Sequence, residues 1–585
     1  MMKNLLRQIT PRMIKFIFAA AVAVSALHAD SDHSVGAFAP WRTYEAEAMQ
    51  TNGTVLGPRY DPYQVETEAS GERCTKLSKG GEFVEFTAQS DANTLIVRYS
   101  LPDSNDGAGR HSKLSYSING KAGEEIPLTS EYSWLYGNYP FTNQPKDGKP
   151  RNFYDEVRVS HLQIHRGDVV RLSKAESETP YALIDLVDLE EAPAALKSPA
   201  GAIALTEAGA VGDGVHDDTN ALRQCIDSAV KTHRPIWAAP GNYKITGDIT
   251  VPSGVHIQGA GIWHTTFVGD PQLYKQADRR VRFRLKGDHI ALADFAILGR
   301  LNYRNDQEPN DGIVTAGCAD SKIERIWIEH TKTGIWVYNG TRLQIKGCRL
   351  RDLLADGINL CVGTSETIVE NCSTRGTGDD CFAIWPSPSD QGFVQATKPG
   401  HNVIRHCTGQ LPFLANGGAL YGGVDNRISD CLFTDITAGC GILISTTFPT
   451  TDEARQIDNN FSGTTTIERC TLQRCGGYDH DWTYRGSFQI CLDQHDISGL
   501  AIKQVEIDDS ISDAFTVIAP RRAPAIGNLS NTILDHVIAK NPGMGTPMRR
   551  GLYIFEKVSG DLTLSGSQVQ PIQNDAKNFA VSGAK

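Results

Sequence analysis

Two periodicities divide the chain. From Arg42 to about Glu191, short stretches such as EFVEFTA (82–88) and NTLIVRYSL (93–101) carry strand-like apolar patterning, and clusters of Gly, Asn, Asp and Pro separate them. Short period-two strands bounded by turn residues predict an antiparallel β-sandwich over 41–191. The Ala- and Pro-rich stretch APAALKSPAG (192–201) is the expected linker.

From 202 to 585 the pattern changes. GAVGDGVHDDTNALRQCIDSAV (209–230) predicts a polar turn running into an amphipathic helix capped near Asp218 or Thr219. Segments of the form Ile/Val/Leu-x-x-Cys/Val/Ile then recur. They begin at Ile323, Ile345, Val369, Ile404, Ile428, Ile467, Ile502 and Leu534, at steps of 22, 24, 35, 24, 39, 35 and 32 residues. A short minimum step with length added in a few places marks a solenoid with variable loops. The repeats are rich in Ile, Val and Thr and too short for helix pairs, so a parallel β-helix is predicted. Equivalent positions would then stack about 4.8 Å apart. Cys348, Cys372, Cys407, Cys431 and Cys470 fall in one column, which reads as an interior ladder of small apolar side chains. Disulfides within that column are the alternative.

The register gives meaning to RGTGDDCFAIW (375–385). Eleven residues beyond Ile345 lies Asp356, in ADGINL (355–360), and eleven beyond Val369 lies Asp380, beside Asp379. Asp311, in NDGIV, aligns with the same column about two rungs earlier. Carboxylates crowded on a rigid sheet resist ionising together, so one keeps a proton near neutral pH and the cluster offers both acid and base. Glycosidic hydrolysis needs that pair; a calcium site is the rival reading. Trp336, Trp385, Tyr421, Trp482 and Tyr484 are candidates for stacking on sugar faces, and Arg375, Asn359, Asn416, Gln391, Asp481 and His495 for binding hydroxyls.

The remaining features narrow the context. Basic residues, an apolar run from Ile14 to Leu27 and small residues at VSA and LHA predict a signal peptide over 1–29, hence a secreted or periplasmic protein. An uncleaved anchor is the alternative. A net charge of −11 with scattered Lys and Arg argues against nucleic acid, and no later segment is apolar enough to span a membrane. A polysaccharide is the expected partner, and a monomer the expected state.

These residues resemble a known family. GAVGDGVHDDTNAL is similar to the opening segment of the pectate-lyase-like β-helix superfamily. ADGINL followed by GTGDDCFAIW resembles the catalytic core of glycoside hydrolase family 87, which contains α-1,3-glucanases and mycodextranases. YSWLYGNYPFTNQPKDGKPRNFYDEV (132–157) resembles the N-terminal sandwich of its members. The resemblance implies an all-β chain, a right-handed parallel β-helix preceded by the sandwich. It also implies an inverting hydrolase of α-1,3-glucan or nigeran in which Asp379 is the general acid and Asp356 and Asp380 hold the attacking water. YEAEAMQ and YALIDLVDLEE resemble carbohydrate-binding modules whose early Glu pair and late Asp bind a structural calcium, here Glu45, Glu47 and Asp185; no cofactor is expected for catalysis. Surface charge on edge strands is the alternative for those three residues. A pectin-type hydrolase is the nearest enzyme rival. Its Gly-His-Gly and Arg-Ile-Lys elements are absent, and only AIK (501–503) stands in the chain, leaving a uronate without a cationic partner. The same lack counts against a lyase. A carbohydrate-binding or adhesive solenoid is the non-enzymatic rival.

Overall fold

The computed structural model describes residues 35–176, 179–388, 399–479, 483–520 and 526–583. The expected signal peptide, and with it the site of cleavage, lies outside them. Two antiparallel sheets form the N-terminal sandwich. One joins Trp41–Glu45, Thr54–Leu56, Cys74–Leu77, Thr94–Ser100, Asp155–Val159 and Ala182–Glu190; the other joins Gln50–Thr51, Phe83–Thr87, His111–Ile118, Lys121–Thr129 and Val169–Lys174. Alternation sorts the side chains: Val170 and Leu172 are buried between the sheets while Val169, Arg171 and Ser173 lie partly exposed.

The rest of the chain coils into parallel sheets. Thr219–Thr232 forms a helix whose Leu222, Cys225, Ile226 and Ala229 are buried in the coil's core. Asp218 stands at its N-cap, but its carboxylate accepts from the Val211 and Gly212 amides and so fixes the preceding turn instead. Beyond the helix, the register runs Ile323, Ile345, Val369, Ile404, Ile428, Ile467, Ile502, Leu534 through consecutive rungs. This is the column that the spacing predicts. All thirteen cysteines are free and buried. Those of the ladder point their thiols at backbone carbonyls, as Cys372 does at Glu370 O, 3.4 Å away. Packing rather than cross-linking explains them.

The sandwich docks on the larger of the coil's two sheets through buried ion pairs. Arg349 grips Glu190 at 2.7 and 2.8 Å with two guanidinium nitrogens. Arg375 pairs with Glu156 and, at 2.8 Å, with Asp188. That corrects the expectation for Arg375. It ends the strand Ser373–Arg375 on the docking sheet, whereas the strand Phe382–Trp385 belongs to the other sheet, so the turn between them separates Arg375 from the aspartates. Asp155, His330 and Asp352 meet in the same interface, His330 Nε2 lying 2.8 Å from Asp155 Oδ1.

Candidate active site

Asp356 and Asp380 precede the paired strands Ile358–Cys361 and Phe382–Trp385 by two residues each, and Ile358 lies opposite Phe382. The Gly357 amide donates to Asp380 O at 3.0 Å, which locks the two turns in register. Each of Asp356, Asp379 and Asp380 offers an oxygen within 4.8 Å of the others.

Their surroundings differ. Asp380 is buried and held by the Asn416 amide (3.1 Å), Asn416 Nδ2 (2.7 Å) and the Tyr421 hydroxyl (2.9 Å). Burial and then the Asp379 charge push its carboxyl up to about 7, against those hydrogen bonds. Burial, followed by the charges of Asp379 and Asp380, holds Asp356 well above the usual carboxylate range, with Arg304 opposing. Asp379 is the most accessible of the three, its side chain 24% exposed, and it forms an ion pair with Arg304 at 2.8 Å. The cluster therefore retains protons near neutrality, as like charges in one patch require.

The acids floor a cleft of about 230 Å³ that Trp336, Trp385, Asn359, Tyr421, Phe448 and Tyr139 help to line. The two tryptophans meet edge to face at 6.0 Å. Trp336 Nε1, Trp385 Nε1 and Asn359 Oδ1 are buried without a hydrogen-bond partner. Polar atoms of this kind are costly unless a ligand satisfies them. A second hollow of about 220 Å³ shares Tyr139, Asp379, Tyr421 and Phe448 with the first, which extends the cleft along the coil. A larger cavity, about 590 Å³, is lined in part by Pro193, Ala194 and Leu196. Its Glu190 and Asp294 are spent on Arg349 and Arg325, and its acidic residues do not converge as Asp356, Asp379 and Asp380 do.

The structure brings Asp356, Asp379, Asp380, Trp336, Trp385, Asn359 and Tyr421 to one cleft. Asp311 does occupy their column, with Thr333 between it and Asp356. Its carboxylate is fully buried, however, accepting from the Lys332 amide (2.6 Å) and the Tyr274 hydroxyl (2.8 Å), and it does not line the cleft. Asn416 holds Asp380 and also lines the second hollow. Trp482, Asp481 and Gln391 lie outside the described residues. Arg304, Asp306, Lys332, Tyr139 and Phe448 were not among the residues expected from sequence; they arrive on loops and from the sandwich, with no periodic signal to mark them.

For calcium, Glu45 and Glu47 fit in part. Each keeps a buried oxygen without a partner, and burial, then Asp185 and Glu47, raises Glu45 to about 8. Asp185 does not fit: Ser70 N donates to one oxygen and Arg98 pairs with the other.

A β-helix with adjoining sandwich and an acid cluster flooring an aromatic cleft defines a polysaccharide-active hydrolase. The comparisons name the family. The α-1,3-glucanase catalytic domain D1 profile matches residues 39–192 and the D2 profile matches 218–549, so the chain belongs to the α-1,3-glucanase catalytic-domain family of glycoside hydrolases. The catalytic unit of a thermostable GH87 α-1,3-glucanase from Streptomyces thermodiastaticus strain HF3-3 is 28% identical, with a TM-score of 0.78 over 94% of this chain and 96% of that one. The Agl-KA catalytic domain is 24% identical, with a TM-score of 0.81 over 94% and 98%. A GH87 α-1,3-glucanase catalytic domain in complex with nigerose is 22% identical, with a TM-score of 0.77 over 94% and 99%. No match is found among curated proteins. Among the described residues, no helix is long and apolar enough to cross a membrane.

Proposed function

We propose that the protein is an exported enzyme that hydrolyses α-1,3-glucosidic linkages of a neutral α-glucan, with Asp356, Asp379 and Asp380 as its catalytic carboxylates. The observation that carries this reading is the convergence of three carboxylates within 4.8 Å on the floor of an aromatic cleft. Family membership and the nigerose-bound relative support the linkage. The cleft's cations support a neutral substrate. Arg304 is spent on Asp379 and Asp306, and Lys332 Nζ donates to the carbonyls of Asn305 and Glu308, which disfavours a uronate.

Asp379, the most accessible of the three, is placed to protonate the departing oxygen, while Asp356 and Asp380 hold the water. As the general acid, Asp379 gives a proton to the departing oxygen while the Asp356–Asp380 pair takes one from the attacking water. Carboxyls this close ordinarily suggest a covalent nucleophile. Here Asp380 already accepts three hydrogen bonds, which suits it to orienting water better than to bonding carbon, and a third carboxyl exceeds what a retaining pair needs. Inversion follows.

A reducing-sugar assay on α-1,3-glucan, nigeran, dextran and polygalacturonate tests this. Turnover is expected on the α-1,3-linked glucans, and Asp356→Asn, Asp379→Asn and Asp380→Asn should each lower it by roughly 10² to 10⁴. Preference for polygalacturonate, or three variants with wild-type turnover, would overturn the assignment. Calcium held by Glu45 and Glu47 is proposed as structural only, with no part in the cleft chemistry.

A further inference from the structure

The sandwich reaches into the cleft. Between its strands Leu135–Tyr136 and Pro150–Arg151, a tight turn is closed by Tyr136 N to Thr142 O (2.7 Å) and Thr142 N to Tyr136 O (3.1 Å). Leu135 and Phe141 of this turn are buried in the coil's own hydrophobic core, which anchors it there. Tyr139, at its tip, lines both hollows of the cleft.

At that tip Tyr139 meets Arg304, a buried side chain on the loop between Ala291–Leu298 and Gly312–Ala319. Each N–H of this guanidinium has an acceptor. Nε donates to Asp306 Oδ1 (2.8 Å), Nη1 to Gly378 O (2.7 Å) and Leu354 O (3.3 Å), and Nη2 to Asp379 Oδ2 (2.8 Å) and the Tyr139 oxygen (2.7 Å). The Tyr139 hydroxyl in turn donates to Asp306 Oδ2 at 2.8 Å, closing a ring of three side chains. Leu354 lies two residues before Asp356, and Gly378 immediately precedes Asp379. One guanidinium thus ties together the two turns that carry all three carboxylates, and it supplies the cationic charge that opposes the upward push on Asp356.

We infer that Tyr139, reaching across from the sandwich, locks Arg304, and that Arg304 is a positioning residue that sets the spacing and charge of the Asp356, Asp379 and Asp380 cluster. This rests on the reading of those aspartates as catalytic. Removing the hydroxyl leaves one Nη2–H and one Asp306 oxygen unsatisfied and frees the fork to tilt. Asp356 then loses part of the compensating charge of Arg304, so its pKa rises. The aromatic ring, and with it any stacking on sugar, is untouched by the change to Phe.

Tyr139→Phe, compared with wild type across pH on whichever glucan the wild type cleaves, tests this. A roughly tenfold fall in kcat is expected, with KM within about twofold and the acid limb of kcat/KM moved to higher pH. Asp306→Asn should likewise lower kcat by loosening the guanidinium, but without the upward move of the acid limb, because it also removes a like charge from the cleft; the double variant should lose little more kcat than either single one, since the pair acts through one guanidinium. Unchanged kcat and pH profile, or a rise in KM alone, would overturn the inference and leave Tyr139 as a wall of the cleft. A wrong substrate assignment would show instead in the wild-type substrate panel, and a wrong triad in active Asn variants.

Discussion

Asp356 and Asp380 are the same residue type at the same position of successive rungs, yet only Asp380 has three donors around it. Those donors decide how far burial can push each carboxyl. The Tyr421 hydroxyl is one of them and favours the charged form of Asp380. On the proposed mechanism Asp380 holds water in its ionised form, so activity should fall as pH drops through its raised pKa, on a limb above the ordinary carboxylate range near 4. Tyr421→Phe removes a lowering interaction and should move that limb further up, with the ring still lining the cleft. A kcat/KM profile checks it; a limb that stays in place, or moves down, would detach Tyr421 from Asp380. At this scale the sequence was partly legible. An 11-residue offset from a repeating Ile or Val was enough to stack Asp356 on Asp380. The same offset could not tell that Asp311 turns inward to Tyr274 and Lys332, because a shared column fixes where a backbone lies and not what its side chain meets.

Among the elements, the Ile column was readable because a coil that buries the same position of each rung imposes its spacing on the chain. The strand Ser373–Arg375 was not, since which sheet a three-residue strand joins depends on turns with no periodicity. It joins the docking sheet, and so Arg375 serves the interface with the sandwich. Arg304 and Tyr139 were illegible for a related reason: their partners are distant in sequence and met only by folding. The interface also holds Asp352, whose carboxyl is raised well above the usual range by burial, then by Glu156 and Asp155. With the folded pKa raised, its contribution to stability is most favourable below the unfolded value near 4 and is lost as pH rises towards the folded value. Asp352→Asn has the shape of the neutral acid, so it should raise Tm at pH 8 and change it little at pH 4. Thermal melts at the two pH values check this; a lower Tm at pH 8 would mean that the carboxylate is charged and paired there.

For the whole molecule, two domains share buried ion pairs and one cleft, and the sandwich carries Glu45 and Glu47 apart from the triad. If calcium sits on those two, its removal withdraws free energy from the folded state alone. Chelation should then lower Tm, restored by added calcium, while turnover below the melt is unchanged; an unchanged Tm would remove calcium from the account. The coil and sandwich were legible from two periodicities, whereas the way one completes the other's cleft was not. The central claim is that three clustered aspartates hydrolyse an α-1,3-glucosidic bond with water entering opposite the departing oxygen. Proton NMR of α-1,3-glucan digested by the wild type, recorded before mutarotation, tests it most directly. The account predicts α-1,3-linked fragments whose new reducing ends appear first as the β-anomer; an initial α-anomer, or no cleavage of this glucan, would contradict it.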